Sequence, residues 1–596
     1  MPSFLALDRR AQARCRVLCV MLAALLMVPA LTPVARMVGD WLGTQVSVIV
    51  RGQPGGGAAA QQAVGAVGGH VVRAIGIVDG VSATVPVDQV GTLQHEPGVV
   101  EVTPNLPVHM QGSGWGRGGT WSPVTDLGSL YNTTLDSGAQ TFWQAGYTGK
   151  GVDVALIDTG VVPVNGLQVA GKVVYGPDLS FDSQRPNLTN LDTYGHGTFM
   201  AGMIAGRDNS AVTGQYAGDS TDFLGTAPDA RVVSIKVADS HGNTDVSQVL
   251  AAIDWVVVHH ADPGFNIRVV NMSFGTDSYQ SYVYDPLAYA AETAWHAGIV
   301  VVGATGNSGW KTGVLDPADD PYVIAVGSSD DMGTATLGDD TVSPYSAGGD
   351  GNRNPDLVAP GAHVVSLRDP GSYIDVNNPT AVVASRFFRG SGTSMSAAVA
   401  SGAAALLLSE NPLLTPDQVK NLLTSTAFPL AGASRTLQGA GELNLRSALT
   451  AVPALAVQAF APATGTGSLD GARGSARLSW NGVALQGEVD IFGLPVNTAS
   501  MASSLASGSI WTGGVFNGVA WTAGGWGTMV TSDGWTGRAW NDGPWTNNSW
   551  SNNSWSNNSW SNNSWSNNSW SNNSWSNNSW SNNSWSDAVW SDAAWS

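Results

Sequence analysis

The stretch Gly390-Ser391-Gly392-Thr393-Ser394-Met395-Ser396-Ala397-Ala398 is a glycine-rich turn that runs into an alanine-rich, apolar segment, Ala397 to Ser409. Glycine supplies the freedom a tight turn needs, and alanine is the best helix former. The pattern predicts a turn that delivers Ser394 to the first turn of a buried helix. A side chain there meets the positive end of the helix dipole and backbone N–H groups that the helix leaves unpaired. That suits a nucleophile whose attack creates an oxyanion. A lone serine in this position is more often an ordinary N-cap, so the reading depends on partners elsewhere in the chain.

Those partners lie upstream, where the pattern changes at about Val152. Short apolar runs read as buried strands: Val152 to Ile157, Val232 to Val237, Ile267 to Met272, Ile299 to Val302 and Val323 to Val326. Helical patterns fall between them, such as Val246 to His259 and Leu287 to His296. Apolar strands alternating with helices imply an α/β fold, a mainly parallel sheet covered on both faces in three layers. Ligand sites in such folds lie at the carboxyl ends of the strands.

Three candidates can be checked against that rule. Asp158 ends the first strand in Leu156-Ile157-Asp158-Thr159-Gly160, where a carboxylate can orient an imidazole or simply shape a turn. His196 stands between glycines in Tyr194-Gly195-His196-Gly197-Thr198, a bracket unusual for a structural or surface histidine. Asn307 follows another strand in Gly303-Ala304-Thr305-Gly306-Asn307-Ser308-Gly309 and can donate to an oxyanion or serve as a turn residue. Together with Ser394 they supply an orienter, a base, an oxyanion donor and a nucleophile. An α/β-hydrolase elbow is excluded, because Ser396 occupies the place of the second glycine in Gly-x-Ser-x-Gly.

At this point the chain resembles the subtilisin-like serine peptidases, the subtilase family. The residues that carry the likeness are Ile157-Asp158-Thr159-Gly160, Gly195-His196-Gly197-Thr198, Gly306-Asn307 and Gly392-Thr393-Ser394-Met395, in the family's order of Asp, His and Ser. Gly225-Thr226-Ala227-Pro228, Asn271-Met272-Ser273-Phe274-Gly275 and Asp356-Leu357-Val358-Ala359-Pro360-Gly361 extend it over roughly 130 to 450. The resemblance implies a serine endopeptidase in which Ser394 is the nucleophile, His196 the general base and Asp158 its orienter. Asn307 completes the oxyanion hole, and Ser273, Phe274 and Gly275 bind an extended polypeptide substrate as an added strand. It also implies a cis bond at Asp316-Pro317. Ala398 and Val399 depart from the proline and histidine that many relatives carry after the serine. No cofactor is expected to be required. Calcium often stabilises this family, but no compact acidic loop marks a site, and no metal ligands are assigned. The polar residues Asp182, Asn187, Asn190 and Asp192 read as a solvated loop.

The rest of the 596 residues falls around this domain, which we place at 125–452. Arg9, Arg10, Arg14 and Arg16 precede an apolar run, Val17 to Leu31, that fits an export signal over 1–35 and is short for a membrane span. A secreted or cell-surface protein is therefore expected. The only cysteines, Cys15 and Cys19, lie in that segment, so a processed chain would have no disulfide. Residues 46–108 carry a β-α-β-β-α-β pattern, with Val87 to His95 as its second helix, the order of a ferredoxin-like α+β unit. Gly80-Val81-Ser82-Ala83-Thr84-Val85 and Pro97-Gly98-Val99-Val100-Glu101-Val102 liken it to the family's inhibitory propeptide, which implies a self-processing zymogen with its own intramolecular inhibitor. A glycine-rich link, Gly112 to Gly119, follows it.

Past the peptidase domain, residues 453–510 read as a linker or small β region with short strands at Leu478 to Trp480 and Val489 to Phe492, and 511–596 as a tryptophan-rich tail. From Asn547 the unit Asn-Asn-Ser-Trp-Ser recurs, with tryptophans every fifth position from Trp550 to Trp585. Five is odd, so in a plain strand successive tryptophans would alternate faces. A turn-rich ribbon or solenoid and a disordered, sticky tract both fit this composition. Such an aromatic array can bind cell-surface glycan or self-associate. A formal net charge of -19 makes nucleic acid an unsuitable partner. Two functions follow: a secreted serine endopeptidase made as a zymogen, or a surface-binding scaffold whose peptidase domain is secondary. The complete catalytic set favours the first.

Overall fold

The structure, a computed structural model, describes residues 45–104 and 121–509, apart from 54, 76–78, 87–88, 186, 311–312, 456 and 481–482, together with three two-residue strands between 515 and 536. The expected export signal, the link from Gly112 to Gly119 and the Asn-Asn-Ser-Trp-Ser pentads lie outside the described residues. Among those described, no helix is long and apolar enough to cross a membrane. The chain divides into two units, residues 1–115 and 116–596.

The first unit is built from strands β1 (Gln45–Gly52), β2 (His70–Ile75), β3 (Gly80–Pro86) and β4 (Val99–Pro104), with helices α1 (Gly57–Ala66) and α2 (Val90–Leu93). The sheet is antiparallel in the order β2-β3-β1-β4. Alternate residues of paired strands face one way. Val48 and Val50 thus meet Ala83 and Val81 in register, and all four are buried with Ala60, Ala63 and Val64 of α1. The helix expected from Val87 to His95 is a single turn among the described residues. Gly91 sits inside it, and Pro97 keeps the residue before it out of the helical region.

The second unit is organised on strands β5 (Asp153–Asp158), β6 (Val173–Asp178), β7 (Arg231–Lys236), β8 (Ile267–Met272), β9 (Val300–Ala304), β10 (Ile324–Asp330), β11 (Thr341–Val342) and β12 (Leu357–Pro360). Their order is β11-β10-β9-β8-β5-β7-β6, with β12 also on β10, and every pair is parallel except β10 with β11. All six residues of β5 are buried, so both faces of the sheet are covered. Two helix pairs cover them: α5 (His196–Ala205) with α8 (Thr393–Glu410), and α6 (Val246–His259) with α7 (Pro286–His296). Ahead of the sheet come α3 (Leu130–Asp136) and α4 (Ala139–Gln144), and after α8 comes α9 (Pro416–Ser425). The chain leaves β5 for β7 and β6 on one side and for β8, β9 and β10 on the other. The strand order therefore reverses at β5, and its carboxyl end is the place where such sheets bind ligands. The Asp316-Pro317 bond is cis.

Residues beyond the last peptidase helices pack into the same core. Leu469, Ala472, Leu478, Ile491, Val496 and Leu505 join it, and Arg473, fully buried, donates to Asp245 at 2.7 Å and to the carbonyls of Gly487 and Val489. Asp245 is the N-cap of α6. Residues 479–480 pair with 483–484, whereas 489–492 form a turn around the Asp490 carboxylate rather than a strand.

Asp254 on α6 is buried against this segment, in a cleft lined by Leu250, Tyr289, Met501 and Leu505. Neither carboxyl oxygen has a hydrogen-bond partner among the described residues. Burial raises its pKa to about 7. A carboxyl raised above its unfolded value costs nothing below about pH 4, and its cost grows as pH rises to the folded value. Asp254→Asn, which keeps the shape and removes the charge, should therefore stabilise the protein by up to about 4 kcal/mol more at pH 8 than at pH 4. Denaturant unfolding at the two pH values measures this; equal gains at both would contradict it.

Candidate active site

Asp158 is the last residue of β5, and its Oδ1 accepts the backbone N–H of Thr159 at 2.8 Å. His196 opens α5, and its Nδ1 lies 2.7 and 2.9 Å from the two Asp158 oxygens. Both side chains are buried, so water does not compete for this contact. A carboxylate only accepts, so Nδ1 carries the proton and Nε2 is the acceptor end of the ring.

The glycines beside His196 are there for space and conformation. Gly195 has φ 102°, which disfavours a side chain. A Cβ on Gly197 would lie 2.1 Å from the carbonyl oxygen of Gly160. Without that close approach α5 could not bring its first turn against the end of β5.

Asp192 fixes the same turn. It accepts from the N–H groups of Gly195 and Thr198, each at 2.7 Å, and from the hydroxyl of Thr159 at 2.7 Å. Thr159 Oγ1 in turn accepts from Gly197 N–H at 2.9 Å. A carboxylate at a helix N-terminus satisfies donors that the helix itself cannot. Burial raises the Asp192 pKa, and the Thr198 and Gly195 N–H groups oppose that rise. The expectation of a solvated loop for Asp182 and Asp192 is thus corrected. Both are buried, and Asp182 accepts from Thr193 Oγ1 at 2.6 Å and from the buried Lys236 Nζ at 2.8 Å. Only Asn187 of the four is exposed. Burial alone would lower the Lys236 pKa, but the charges of Asp182 and Asp178 outweigh it and the pKa is raised. Lys236 comes from β7, which is why the polar run by itself looked like a surface loop.

Ser394 is the second residue of α8, and its Oγ donates to the carbonyl of Ser273 at 2.8 Å. Ser273 Oγ donates back to the Ser394 carbonyl at 3.0 Å and accepts from Asn271 Nδ2 at 2.8 Å. Ser273, Phe274 and Gly275 directly follow β8. A Cβ on Gly275 would lie 2.6 Å from the Asp316 carbonyl, where Thr276 and Asp316 exchange two backbone hydrogen bonds. Asn307, three residues past β9, accepts from Thr393 N–H at 2.8 Å and from Thr393 Oγ1 at 3.1 Å. The Thr393 amide can only donate, so the atom facing it is Oδ1, and the amide group Nδ2 is left as the donor end. A Cβ on Gly392 would stand 3.5 Å from that nitrogen.

Two groups of contacts therefore assemble at one edge. Asp158 with His196 form one; Asn307, Thr393, Ser394 and Ser273 form the other. Their strands β5, β8 and β9 are neighbours, and α5 and α8 pack together with both N-termini at this edge. All seven residues singled out in the sequence lie there. Asp192 was the one whose part was missed. The signal for it is a carboxylate four residues before a glycine-bracketed helix start.

The model of the subtilase family matches residues 149–454. The chain is 38% identical over 309 residues to the serine protease AprX of Bacillus subtilis strain 168, covering 51% of this chain and 67% of that one. It is 33% identical over 307 residues to subtilisin DY of Bacillus licheniformis, covering 51% and 92%. The minor extracellular protease Epr of Bacillus subtilis strain 168 is 29% identical over 296 residues, covering 50% of this chain and 38% of that one. A family match over half the chain, on a parallel sheet with this edge, leads to one conclusion: the protein belongs to the subtilase family and is a serine endopeptidase, a hydrolase of peptide bonds.

Proposed function

We propose that the chain is a secreted endopeptidase that cuts polypeptides through Asp158, His196 and Ser394 by way of an acyl-enzyme, and that it is made as a self-processing zymogen. The observation that carries this reading is the 2.7 Å contact of His196 Nδ1 with Asp158 beside a helix that holds Ser394 in its first turn. Serine is a weak nucleophile at its own pKa. Neutral His196 takes the Ser394 proton on Nε2 as Oγ bonds to the substrate carbonyl carbon. That needs the hydroxyl to turn from the Ser273 carbonyl towards the imidazole. The oxyanion that forms is held by the Ser394 backbone N–H and by Asn307 Nδ2. His196 then gives its proton to the leaving amine, and water completes the cycle by the same route. Asp158 keeps the tautomer and stabilises the imidazolium. Ser273, Phe274 and Gly275 pair with the substrate main chain.

Residues 46–108 act in this reading as the inhibitory propeptide; the ferredoxin-like strand order of the first unit and the family membership support it. Residues 1–35 direct export, a reading that the similarity to the minor extracellular protease Epr supports. Residues 125–452 form the peptidase domain, with 453–510 after it, and the tryptophan-rich tail attaches the enzyme to glycan or to other copies. Calcium is a stabiliser at most and takes no part in the chemistry.

Asn307→Ala should lower kcat by about 10²- to 10³-fold with little change in KM, the range known for loss of this donor within the family. Initial rates on a chromogenic peptide decide it; a change confined to KM would place Asn307 in substrate binding instead. The zymogen reading is tested by following purified wild-type and Ser394→Ala chains on gels over time. Wild type should shed an N-terminal fragment and the variant should stay whole. An intact wild-type chain that nonetheless cleaves peptides would overturn self-processing.

A further inference from the structure

Outside the residues of this site, three carboxyl groups from distant parts of the chain converge. Asp136 ends α3, Asp340 directly precedes β11, and Glu442 makes backbone bridges to Val358 of β12 and to Phe428. One oxygen of each lies within 4.8 Å of the others, the only such group of three found among the described residues. Asp136 and Glu442 are 0% exposed and Asp340 4%. Both oxygens of Asp136, both of Asp340 and Oε2 of Glu442 accept from no donor among the described residues. Glu442 Oε1 accepts from the Ser329 hydroxyl, which aims the group.

Buried carboxylates without donors or counter-charge are costly, and several together repel. The local cation does not answer this. Arg446 donates to the backbone carbonyls of Asp136 and Leu135 rather than to a carboxylate. Asp331, whose Oδ2 also lacks a donor, and Asp339 add further negative charge. Burial first, then the neighbouring carboxyls, raises Asp136 to about 9 and Glu442 well above its ordinary range.

We propose that Asp136, Asp340 and Glu442 hold a calcium ion. The donors are all oxygen, which suits a hard cation and excludes the thiolate- and imidazole-seeking metals. Calcium takes oxygen ligands at about 2.3–2.6 Å, so any two oxygens on one ion stand at most about 5.2 Å apart, and the three here lie within 4.8 Å of one another. Magnesium would draw its ligands closer and demand a stricter octahedron. Bound there, the calcium ion ties the helix that opens the peptidase unit to the loop before β11 and to the chain near its last core bridge. It acts as a staple and takes no part in the reaction.

The test uses the full chain carrying Ser394→Ala, which prevents self-digestion, beside the same chain with Asp340→Asn and Glu442→Gln. Calcium per chain is measured by atomic emission after gel filtration, and thermal midpoints are taken in calcium and in EGTA. The double substitution should lose about one calcium per chain. It should also lose the several-degree rise in midpoint that calcium gives its parent. Equal calcium content in the two chains overturns the proposal. So does a parent midpoint that is insensitive to calcium yet rises on acidification, since the carboxyls then hold protons instead. If the double variant does not fold, crystals of the parent grown with terbium decide it. An anomalous peak among the three carboxyl groups supports the site, and a map without one overturns it.

Discussion

Ser394→Ala should leave a folded protein whose kcat on a peptide substrate is lower by about 10⁶-fold, the order that loss of the nucleophile costs a member of this family. The substitution removes one oxygen and little packing. Among the described residues its only side-chain hydrogen bond is the donation to the Ser273 carbonyl, at the edge of the site. The reciprocal bond from Ser273 Oγ uses the backbone of residue 394 and survives. Stability should therefore change little while activity disappears. The remaining rate would come from binding and the oxyanion donors, which need no nucleophile. Rate assays with circular dichroism as the control measure both. A variant within about tenfold of wild type would remove Ser394 from the reaction.

Asp158→Asn should cost about 10⁴-fold in kcat at neutral pH, again with the fold intact. The size does not come from lost charge alone. The asparagine amide can donate towards His196 Nδ1, which favours the tautomer with its proton on Nε2. The nitrogen that must accept the Ser394 proton is then blocked. Asp158 also accepts from Thr159 N–H, and the asparagine oxygen can keep that bond. KM should stay near the wild-type value, because substrate contacts lie along residues 273–275. Michaelis parameters across pH separate this from a general structural effect. Equal losses in kcat and gains in KM would argue that Asp158 shapes the cleft rather than the base.

How far these residues could be read from the chain depends on how local their signals are. Asp158, His196, Asn307 and Ser394 each stand in a short glycine-marked context, because each lies where a strand ends or a helix begins close to other backbone. Strands β5, β7 and β8 were legible as apolar runs because both faces of the sheet are covered. Asp192 was legible only as polar; its burial is decided by packing and by the neighbouring Lys236–Asp182 pair, whose lysine comes from β7. Arg473 reaches Asp245 across 228 positions and leaves no local trace. Asp136, Asp340 and Glu442 are likewise joined only by the fold, so no loop motif could announce them. The one-turn α2 shows the opposite limit: apolar spacing suggested more helix than Gly91 and Pro97 permit.

The proposed mechanism requires that Ser394 carry the attacking oxygen and be activated where it stands. The measurement that tests it most directly is reaction of the purified wild-type chain with a serine-directed phosphonate, followed by mass mapping of the adduct. One phosphonyl group per chain is expected, on the peptide that contains Ser394, with no adduct in Ser394→Ala or in wild type unfolded before exposure. An adduct on another serine, or a folded, peptide-cleaving protein that takes up no probe at Ser394, would contradict it.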